Sequence, residues 1–301
     1  MPEYWHCWAF LATCRAFEEN DMIEIGVYQD LLINRSSPIG MFLKAVDGEE
    51  EVLLPNKYLL EDMEPGKMVR VFVYRDTQDR KVATTEEPLL TLNKFGYLKV
   101  AEVNKVGAFL DWGLIEKQLM VPFKNQQHKM QQNKSYLVYL YKDNLSDRLV
   151  ATSRIDSFLK ESPVGVLTRG REVDLIVRGK SDMGVSVIVN QAYKGLIFQN
   201  ELFRELAFGQ EIKGYVKQVR EDGKLDISLE PIGVASIEPN ADLILKSLRK
   251  AEGFLPFTDK SDPDAIRQKF GISKKLFKKA IGSLYKQRLI ELKPDGIYLS
   301  E

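Results

Sequence analysis

The sequence has few of the residues that build redox, metal and histidine-dependent catalytic sites. Its 301 residues include two cysteines, Cys7 and Cys14, and two histidines, His6 and His128. Both cysteines precede residue 22, so the rest of the chain has neither a disulfide framework nor a cysteine-ligated zinc. The histidines stand in unrelated contexts, which disfavours a histidine metal site or triad. We therefore expect a reducing cytoplasm, no metal and no cofactor.

Long apolar runs and an excess of one charge are also missing. No apolar run of about eighteen residues occurs, so no membrane span is predicted. The 43 basic and 43 acidic residues cancel, so nucleic-acid binding would have to use local patches. Residues 1–21 lack the basic region and cleavage site of a signal peptide. We expect them to be an extension outside the fold, with the natural start at Met22, where the strand pattern begins.

An internal repeat organises most of the chain. The segment DRKVATTEEP from Asp79 matches DRLVATSRID from Asp147, 68 residues further on, and Gly40 matches Gly107 at a distance of 67. A third, more divergent copy places Gly184 77 residues after Gly107, within MGVSVIVNQAYKGLIF. Self-similarity at a fixed period indicates tandem structural units.

Each copy has the pattern of five short strands. In the second copy, alternating apolar positions run through FGYLKVAEVN, GAFLDWG, KQLMVP, SYLVYLYKD and RLVATSR. A unit of about 70 residues is near the lower limit for a separate core, and closing its sheet removes edges that promote aggregation. The prediction is a mostly β chain with three barrels, in residues 22–88, 89–157 and 158–232.

The second strand of each copy begins with a glycine. A strongly bent strand needs a residue without Cβ there, as at Gly107. Alternation then sends Phe109 and Asp111 to one face and Ala108 and Trp112 to the other. The pattern leaves open which face meets solvent.

After the third copy the apolar period changes from two to 3.6. Three helices, capped by Asn240, by Ser261 or Asp262, and by Ser273, precede a hairpin with a Pro-Asp-Gly turn. This order predicts a winged-helix domain over residues 239–301.

Basic residues concentrate in this last domain. Nine of them lie between Arg267 and Lys293, against one acidic residue, Glu291. Four fall on the outward face of the third helix, namely Lys274, Lys275, Lys278 and Lys279. We predict that they contact phosphate, with a solvated helix face as the alternative.

The series K-V-x-x-V-x-x-x-G-A-F-L-D-W, followed by L-M-V-P, resembles the S1-type RNA-binding domain, an OB-fold barrel. Three such repeats before a short helix-rich tail are similar to the bacterial conserved virulence factor B family, over residues 22–301. The resemblance implies RNA binding and regulation of gene expression, without catalysis.

In S1-type domains, an aromatic on the glycine-containing strand and an aromatic or histidine ending the third strand form a platform for bases. By position, the first corresponds to Phe42 and Phe109, and the second to Pro55, Pro122 and Phe198. The departures are the two prolines, Ile39 and Val106 for the aromatic before the glycine, and Ser186 for the third phenylalanine. Since no copy has a complete platform, single barrels should bind weakly and the array by avidity.

Accessible aromatics flanked by basic side chains are the expected features of a surface for unpaired bases, each stack contributing about 1–3 kcal/mol. The predicted stacking residues are Phe42, Phe109, Trp112, Phe123 and Phe198. The predicted basic contacts on the barrels are Lys44, Lys105, Lys124, Arg80 and Arg148. Core packing of the rings, and turn stabilisation by the two arginines, are the alternatives.

Single-stranded RNA is therefore the predicted partner, with neither a membrane nor a small-molecule substrate expected. A DNA-binding transcriptional regulator is the second hypothesis, but a third helix with lysines alone lacks the Arg, Asn and Gln that usually read bases. A nuclease is the third. The sequence has no carboxylate cluster at metal-binding spacing, phosphate-cradling glycine loop or nucleophile elbow to support it.

Overall fold

The computed structural model describes residues 22–163, 165–202, 204–231 and 237–300, with side chains in the last range from Asn240 on. The predicted extension, residues 1–21, lies outside the described residues. Within these ranges, three sets of five strands precede a small domain of helices and a sheet. The predicted fold class, three S1-type barrels followed by a winged helix, is confirmed.

The first barrel closes on itself. Its strands are β1 (Tyr28–Ser37), β2 (Gly40–Lys44), β3 (Glu51–Pro55), β4 (Met68–Arg75) and β5 (Lys81–Thr84). They pair in the order β1-β2-β3-β5-β4, antiparallel except where Leu53 meets Val82 in parallel between β3 and β5. Leu43, Leu54 and Val71 are fully buried inside. Alternation along short strands thus fills a small OB-type barrel.

The second barrel has the same strand order, but one pair of neighbouring strands is packed together without a hydrogen-bonded ladder. Its strands are β6 (Phe95–Val103), β7 (Gly107–Leu114), β8 (Lys117–Pro122), β9 (Ser135–Asp143) and β10 (Arg148–Thr152). The sheet runs β10-β9-β6-β7-β8, which is the order of the first barrel cut between β8 and β10. On β7, Ala108 and Trp112 are buried, whereas Phe109 is half-buried and Asp111 exposed. The sequence did not decide which face of this strand meets solvent. In the structure, Phe109 and Asp111 are on the solvent side.

The divergent third copy is also a closed barrel. It comprises β11 (Glu172–Ser181), β12 (Gly184–Val189), β13 (Tyr193–Phe198), β14 (Glu211–Val219) and β15 (Leu225–Ser228). Strands β13 and β15 close it in parallel, as β3 and β5 do in the first barrel. Ile197, Val216, Leu225 and Ile227 are fully buried in its core.

The glycine at the start of each second strand has a steric role. A Cβ atom at Gly40, Gly107 or Gly184 would lie 2.0–2.4 Å from a backbone oxygen of the third strand. Only a residue without Cβ allows the two backbones to approach this closely. The glycine therefore fixes the position of the residue two places later, which is Phe42 or Phe109 in the first two barrels.

The last domain is a winged helix. Its elements are α1 (Ile237–Lys250), β16 (Phe254–Leu255), α2 (Pro263–Phe270), α3 (Lys274–Lys286), β17 (Ile290–Lys293) and β18 (Gly296–Leu299). The strands form a sheet in the order β16-β18-β17. Ile244, Ile266, Phe277 and Ile297 are fully buried in one core. No described helix combines the length and apolar character needed to cross a membrane.

Two of the three predicted helix caps are confirmed. Asp262 accepts hydrogen bonds from the N–H groups of Asp264 and Ala265 at the start of α2, and Ser273 caps α3. Asn240 is not a cap, because α1 already begins at Ile237. The intervening Pro239 is tolerated in a first turn, where N–H groups have no intrahelical partner.

Candidate nucleic-acid interface

The predicted stacking residues differ in accessibility. Phe123 follows β8 and is 43% exposed, and Phe109 is half-buried on the solvent face of β7. Phe42 and Phe198 are also half-buried. Trp112 is only 2% exposed. Four of the five rings therefore have some accessible surface.

Trp112 is a wrong prediction. Its Nε1 donates a hydrogen bond to the carbonyl oxygen of Leu90 at 2.6 Å. Its ring meets Phe72 and Tyr74 of the first barrel edge to face, with centroids 5.6 and 6.5 Å apart. This ring packs inside the first of the chain's two compact units, so no base can stack on it.

Two other rings are contacted by a guanidinium group. The Cζ atom of Arg35 lies 3.8 Å from the ring centroid of Phe42, and that of Arg220 lies 5.5 Å from the centroid of Phe198. Among the described residues, no comparable cation contact is found for Phe109. Phe123 is thus the most exposed predicted ring, and Phe109 is half-buried without such a cation contact from the described residues.

Strand pairing aligns one cross-strand row in each barrel. The rows are Arg35, Phe42 and Leu53 in the first barrel, Glu102, Phe109 and Met120 in the second, and Gly179, Ser186 and Leu196 in the third. The position beside the platform residue is therefore a cation in the first barrel, Arg35, and an anion in the second, Glu102. In the third barrel it is Gly179, which has no side chain. Three copies of one fold present three chemically different surfaces.

The basic residues that end the first two repeats both contact carboxylates, Arg80 within its own hairpin and Arg148 across to the first barrel. Arg80 donates from Nε and Nη2 to Oδ2 of Asp76, at 2.9 and 2.7 Å. Arg148 donates from Nε to Oδ1 of Asp79 at 3.1 Å. This geometry supports the alternative of turn stabilisation for Arg80, whereas Arg148 connects the hairpin of the second barrel to that of the first. Phosphate contact by them stays a prediction.

The other predicted basic contacts on the barrels are more accessible. Lys105, in the turn before β7, and Lys124, just after Phe123, are exposed, and Lys44 at the end of β2 is half-buried. Lys105 precedes the strand that carries Phe109. Exposed cations near accessible rings are the arrangement that binding of an unpaired strand requires.

The four lysines of α3 have different surroundings. Lys278 lies 3.5 Å from a carboxylate oxygen of Asp259, and Lys274 donates to the carbonyl oxygen of Lys260 at 3.2 Å. Lys275 and Lys279 are exposed. Lys274, Lys275 and Lys279 line a common cleft, whereas Lys278 does not.

This cleft has a volume of about 790 Å³ and lies in the second compact unit, between the third barrel and the winged helix. Its basic lining residues are Arg169, Lys217, Arg267, Lys274, Lys275 and Lys279, and its acidic ones are Glu201 and Glu230. A positive excess in a neutral chain is the electrostatic footprint expected of a nucleic-acid site. We call this surface the basic cleft.

The sequence had not identified the part of the basic cleft that comes from the third barrel. Arg169 and Lys217 lie outside the basic segment of the winged helix, and no local pattern predicts that they meet it. They join the lysines of α3 only because the barrel and the winged helix pack within one unit. Lys217 and Lys274 are more than 50 residues apart in the sequence. Only the tertiary structure could therefore reveal the cluster.

The two carboxylates of the basic cleft accept hydrogen bonds. Glu230 accepts from the N–H of Ser273 at 2.8 Å and from its hydroxyl at 3.0 Å. Glu201 accepts from Nζ of Lys217 at 2.5 Å and from the hydroxyl of Ser228 at 3.1 Å. Burial raises the pKa of Glu230, the hydrogen bonds from Ser273 oppose that rise, and Glu201 adds to it. Glu230 thus connects the end of the third barrel to the N-terminus of α3.

The part of the chain that the structure describes contains no group of three or more His, Cys, Asp or Glu side chains placed to hold a metal ion. The candidate binding features among the described residues are the accessible rings and the basic cleft.

Two family profiles match the chain. The profile of the CvfB-like winged helix domain matches residues 242–299, and that of the S1 domain matches residues 25–86. The first lies within the winged helix and the second within the first barrel. These domain classes support nucleic-acid binding.

Relatives match nearly the whole chain. A protein of Bacillus subtilis described as uncharacterized protein YitL is 31% identical over 285 residues, which cover 89% of this chain and 91% of the relative. Conserved virulence factor B of Staphylococcus epidermidis is 28% identical over 249 residues, 80% and 83% of the two chains. A solved multidomain protein with nucleic acid binding domains from Streptococcus pneumoniae is 27% identical and covers 91% of this chain and 98% of that one, with a TM-score of 0.40.

Proposed function

The chain belongs to the conserved virulence factor B family, and on this premise we propose that it binds single-stranded RNA without catalysing a reaction. The binding surfaces are the accessible rings of the barrels and the basic cleft. The role that follows is post-transcriptional regulation of gene expression in the cytoplasm, with no cofactor and no small-molecule substrate. The basic cleft is the observation that carries this proposal.

The composition of the cleft suits a phosphate backbone. Lysine and arginine side chains that neutralise phosphates supply affinity independent of sequence. Six such side chains line the cleft, against two carboxylates that already accept hydrogen bonds. The basic side chains of the cleft can therefore neutralise the phosphates of an RNA strand whatever its base sequence.

The accessible rings favour an unpaired strand, because a base can stack on a protein ring only when it is not stacked within a double helix. The accessible rings of Phe109 and Phe123 add stacking surface, at about 1–3 kcal/mol for each base.

Regulation through duplex DNA is the alternative for a winged helix. In helix-turn-helix proteins, the N-terminal residues of the recognition helix contact base edges in the major groove. Here the N-terminal residue that caps α3, Ser273, is hydrogen-bonded to Glu230. Lys274 and Lys275 beside it line the basic cleft. The end of the helix that would read a groove thus faces the third barrel, which favours RNA.

The proposal is tested by fluorescence anisotropy with the full chain and labelled oligonucleotides of one sequence, as single-stranded RNA and as duplex DNA. Single-stranded RNA should bind more tightly. Replacing Lys275 and Lys279 by Ala should weaken binding roughly tenfold and lower the slope of log affinity against log salt by about 1.4, or about 0.7 per lost phosphate contact.

The matched control is Lys246→Ala with Lys250→Ala, the same charge change on exposed positions of α1. This pair should leave affinity within about twofold of wild type, because such charges interact with RNA only over long range. Preference for duplex DNA, or equal losses in the two double variants, would contradict the proposal.

A further inference from the structure

The first barrel has an arginine on the ring that would stack a base in the proposed function. The Cζ atom of Arg35 lies 3.8 Å from the centroid of the Phe42 ring. A planar guanidinium stacks on aromatic faces, as a nucleobase does. Arg35 therefore covers a face of Phe42 that a base would use.

Glu51 holds this arginine in place. Arg35 donates from Nε to Oε1 of Glu51 at 3.1 Å and from Nη2 to Oε2 at 2.6 Å. Asn34 donates to the same Oε1 at 2.6 Å. Two parallel hydrogen bonds to one carboxylate fix the guanidinium plane as well as its position. Consistent with this, the hydrogen bonds from Arg35 and Asn34 lower the pKa of Glu51.

The strand geometry produces this arrangement. Arg35 on β1 lies opposite Phe42 on β2, and the register between these strands shifts between Ile33 and Arg35. In a regular strand, Asn34 and Arg35 would point to opposite faces. A bulge redirects side chains, and here both of these residues reach Glu51.

The other barrels have the bulge without the arginine. The register shifts between Val100 and Glu102 in the second barrel and between Val177 and Gly179 in the third. At the position of Arg35 these barrels have Glu102 and Gly179. Neither residue can place a cation on a ring, so this close arrangement is specific to the first barrel, while in the third barrel Arg220 lies 5.5 Å from the Phe198 centroid.

The charge of the first barrel also disfavours a polyanion. Residues 22–88 include eight basic and thirteen acidic residues, whereas residues 89–157 include ten basic and six acidic ones. The net charges are −5 and +4. An RNA strand is repelled by the first set and attracted by the second. This observation is independent of the geometry at Phe42.

We infer that the Arg35–Glu51 pair closes the stacking surface of the first barrel, so that this barrel takes no base and stacking is left to the accessible rings elsewhere. The inference rests on the proposed function. It assigns base stacking to rings outside the first barrel. Glu51 is the residue that keeps the platform closed, because it orients the guanidinium and neutralises its charge.

Closure can be measured without RNA, by nuclear magnetic resonance of the arginine Nε–H groups in the full chain. Ring current from Phe42 should shift the Arg35 signal upfield, and Phe42→Leu should return it to the ordinary position. Glu51→Gln should also reduce the shift, because a neutral amide holds the guanidinium less firmly. An Arg35 signal at the ordinary position in the wild-type chain would overturn the inference, whatever the RNA result.

Binding of labelled oligouridine to the full chain supplies the second test. Phe42→Leu should leave affinity within about twofold, whereas Phe109→Leu should lower it roughly tenfold. Glu51→Gln should raise affinity roughly fivefold by exposing Phe42, and the added Phe42→Leu should cancel the gain. A gain that persists in this double variant comes from charge alone and contradicts the inference, as does a loss in Phe42→Leu equal to that in Phe109→Leu.

The two proposals fail differently. If the basic-cleft variants and Phe109→Leu leave oligouridine binding unchanged, the proposed function is wrong, but the arginine spectrum still reports whether Phe42 is covered. If those variants weaken binding and Phe42→Leu does so too, RNA binding stands and closure of the first barrel is wrong. Thermal unfolding of each variant verifies that the chain remains folded.

Discussion

Phe109 and Trp112 lie three residues apart on β7 and have opposite surroundings. Phe109 is half-buried on the solvent face, whereas Trp112 is 2% exposed. Trp112 bonds to Leu90 and packs against Phe72 and Tyr74. A ring that is buried and hydrogen-bonded stabilises the fold, and an accessible ring is free to bind.

Trp112→Phe should therefore lower stability and leave RNA affinity unchanged. The variant loses the hydrogen bond to Leu90 and part of the ring volume, at a cost of about 1–3 kcal/mol in the free energy of unfolding. Urea unfolding measures the loss, and anisotropy under native conditions measures the affinity.

Phe109→Leu is the matched comparison, with the opposite result expected: little change in stability and a loss of affinity. If Trp112→Phe lowered affinity while the unfolding midpoint stayed the same, the tryptophan would be a binding residue after all, and its assignment to the core would be wrong.

At this scale, sequence patterns predicted which side chains share a face but not which face is covered. Alternation grouped Trp112 with Ala108 and separated both from Phe109. The side that meets solvent depends on how the sheet curls and on Phe72, which is 40 positions away in the chain. For the same reason, no local pattern predicted that Arg35 lies on Phe42, since a strand bulge between them decides it.

Elements could be predicted from sequence more completely than side-chain contacts. The five strands of the second barrel lie where alternation placed them, and the caps Asp262 and Ser273 are local signals. The start of α1 was misplaced because a proline in the first turn reads like a boundary. The bond between Glu230 and Ser273 was not predictable, because 43 residues separate them.

Because Glu230 can be protonated, its contact with Ser273, which connects the third barrel to α3, depends on pH. Its carboxyl is largely buried among hydrogen-bonding groups, and burial raises its pKa above the ordinary 4.5. The folded chain therefore binds this proton more readily than the unfolded chain. It follows that stability attributable to Glu230 is highest below pH 4.5 and decreases as the pH rises through the raised value.

Glu230→Gln, which imitates the protonated side chain, should raise the melting temperature at pH 7. The difference from wild type should disappear as the pH falls below 4.5, because the glutamate is then neutral in both the folded and the unfolded chain. Thermal unfolding across this range measures the effect. Glu221→Gln, the same change at an exposed position of the third barrel, should give no such trend. A variant less stable than wild type at pH 7 would show that the hydrogen bonds from Ser273 outweigh the cost of burial.

Over the whole molecule, a neutral chain separates into parts of different charge. The first barrel is acidic with a covered platform, the second is basic with an accessible ring, and the second compact unit contains the basic cleft. The repeat predicted three similar modules, and the fold confirms them. The difference at the platform arises from one equivalent position, which holds Arg35, Glu102 and Gly179 in the three barrels, whereas the difference in net charge is spread over many positions.

Weak modules on one chain reinforce each other, because binding at one raises the effective concentration of RNA at the next. The intact chain should therefore bind a long single-stranded RNA at least about 100-fold more tightly than residues 22–155 alone. Circular dichroism verifies that the fragment is folded, and anisotropy supplies both affinities. Shortening the RNA until it can occupy a single module should reduce the ratio, because only the affinity of that module then remains. Equal affinity of chain and fragment for the long RNA would show that the second unit contributes nothing, and that the basic cleft is not where RNA binds.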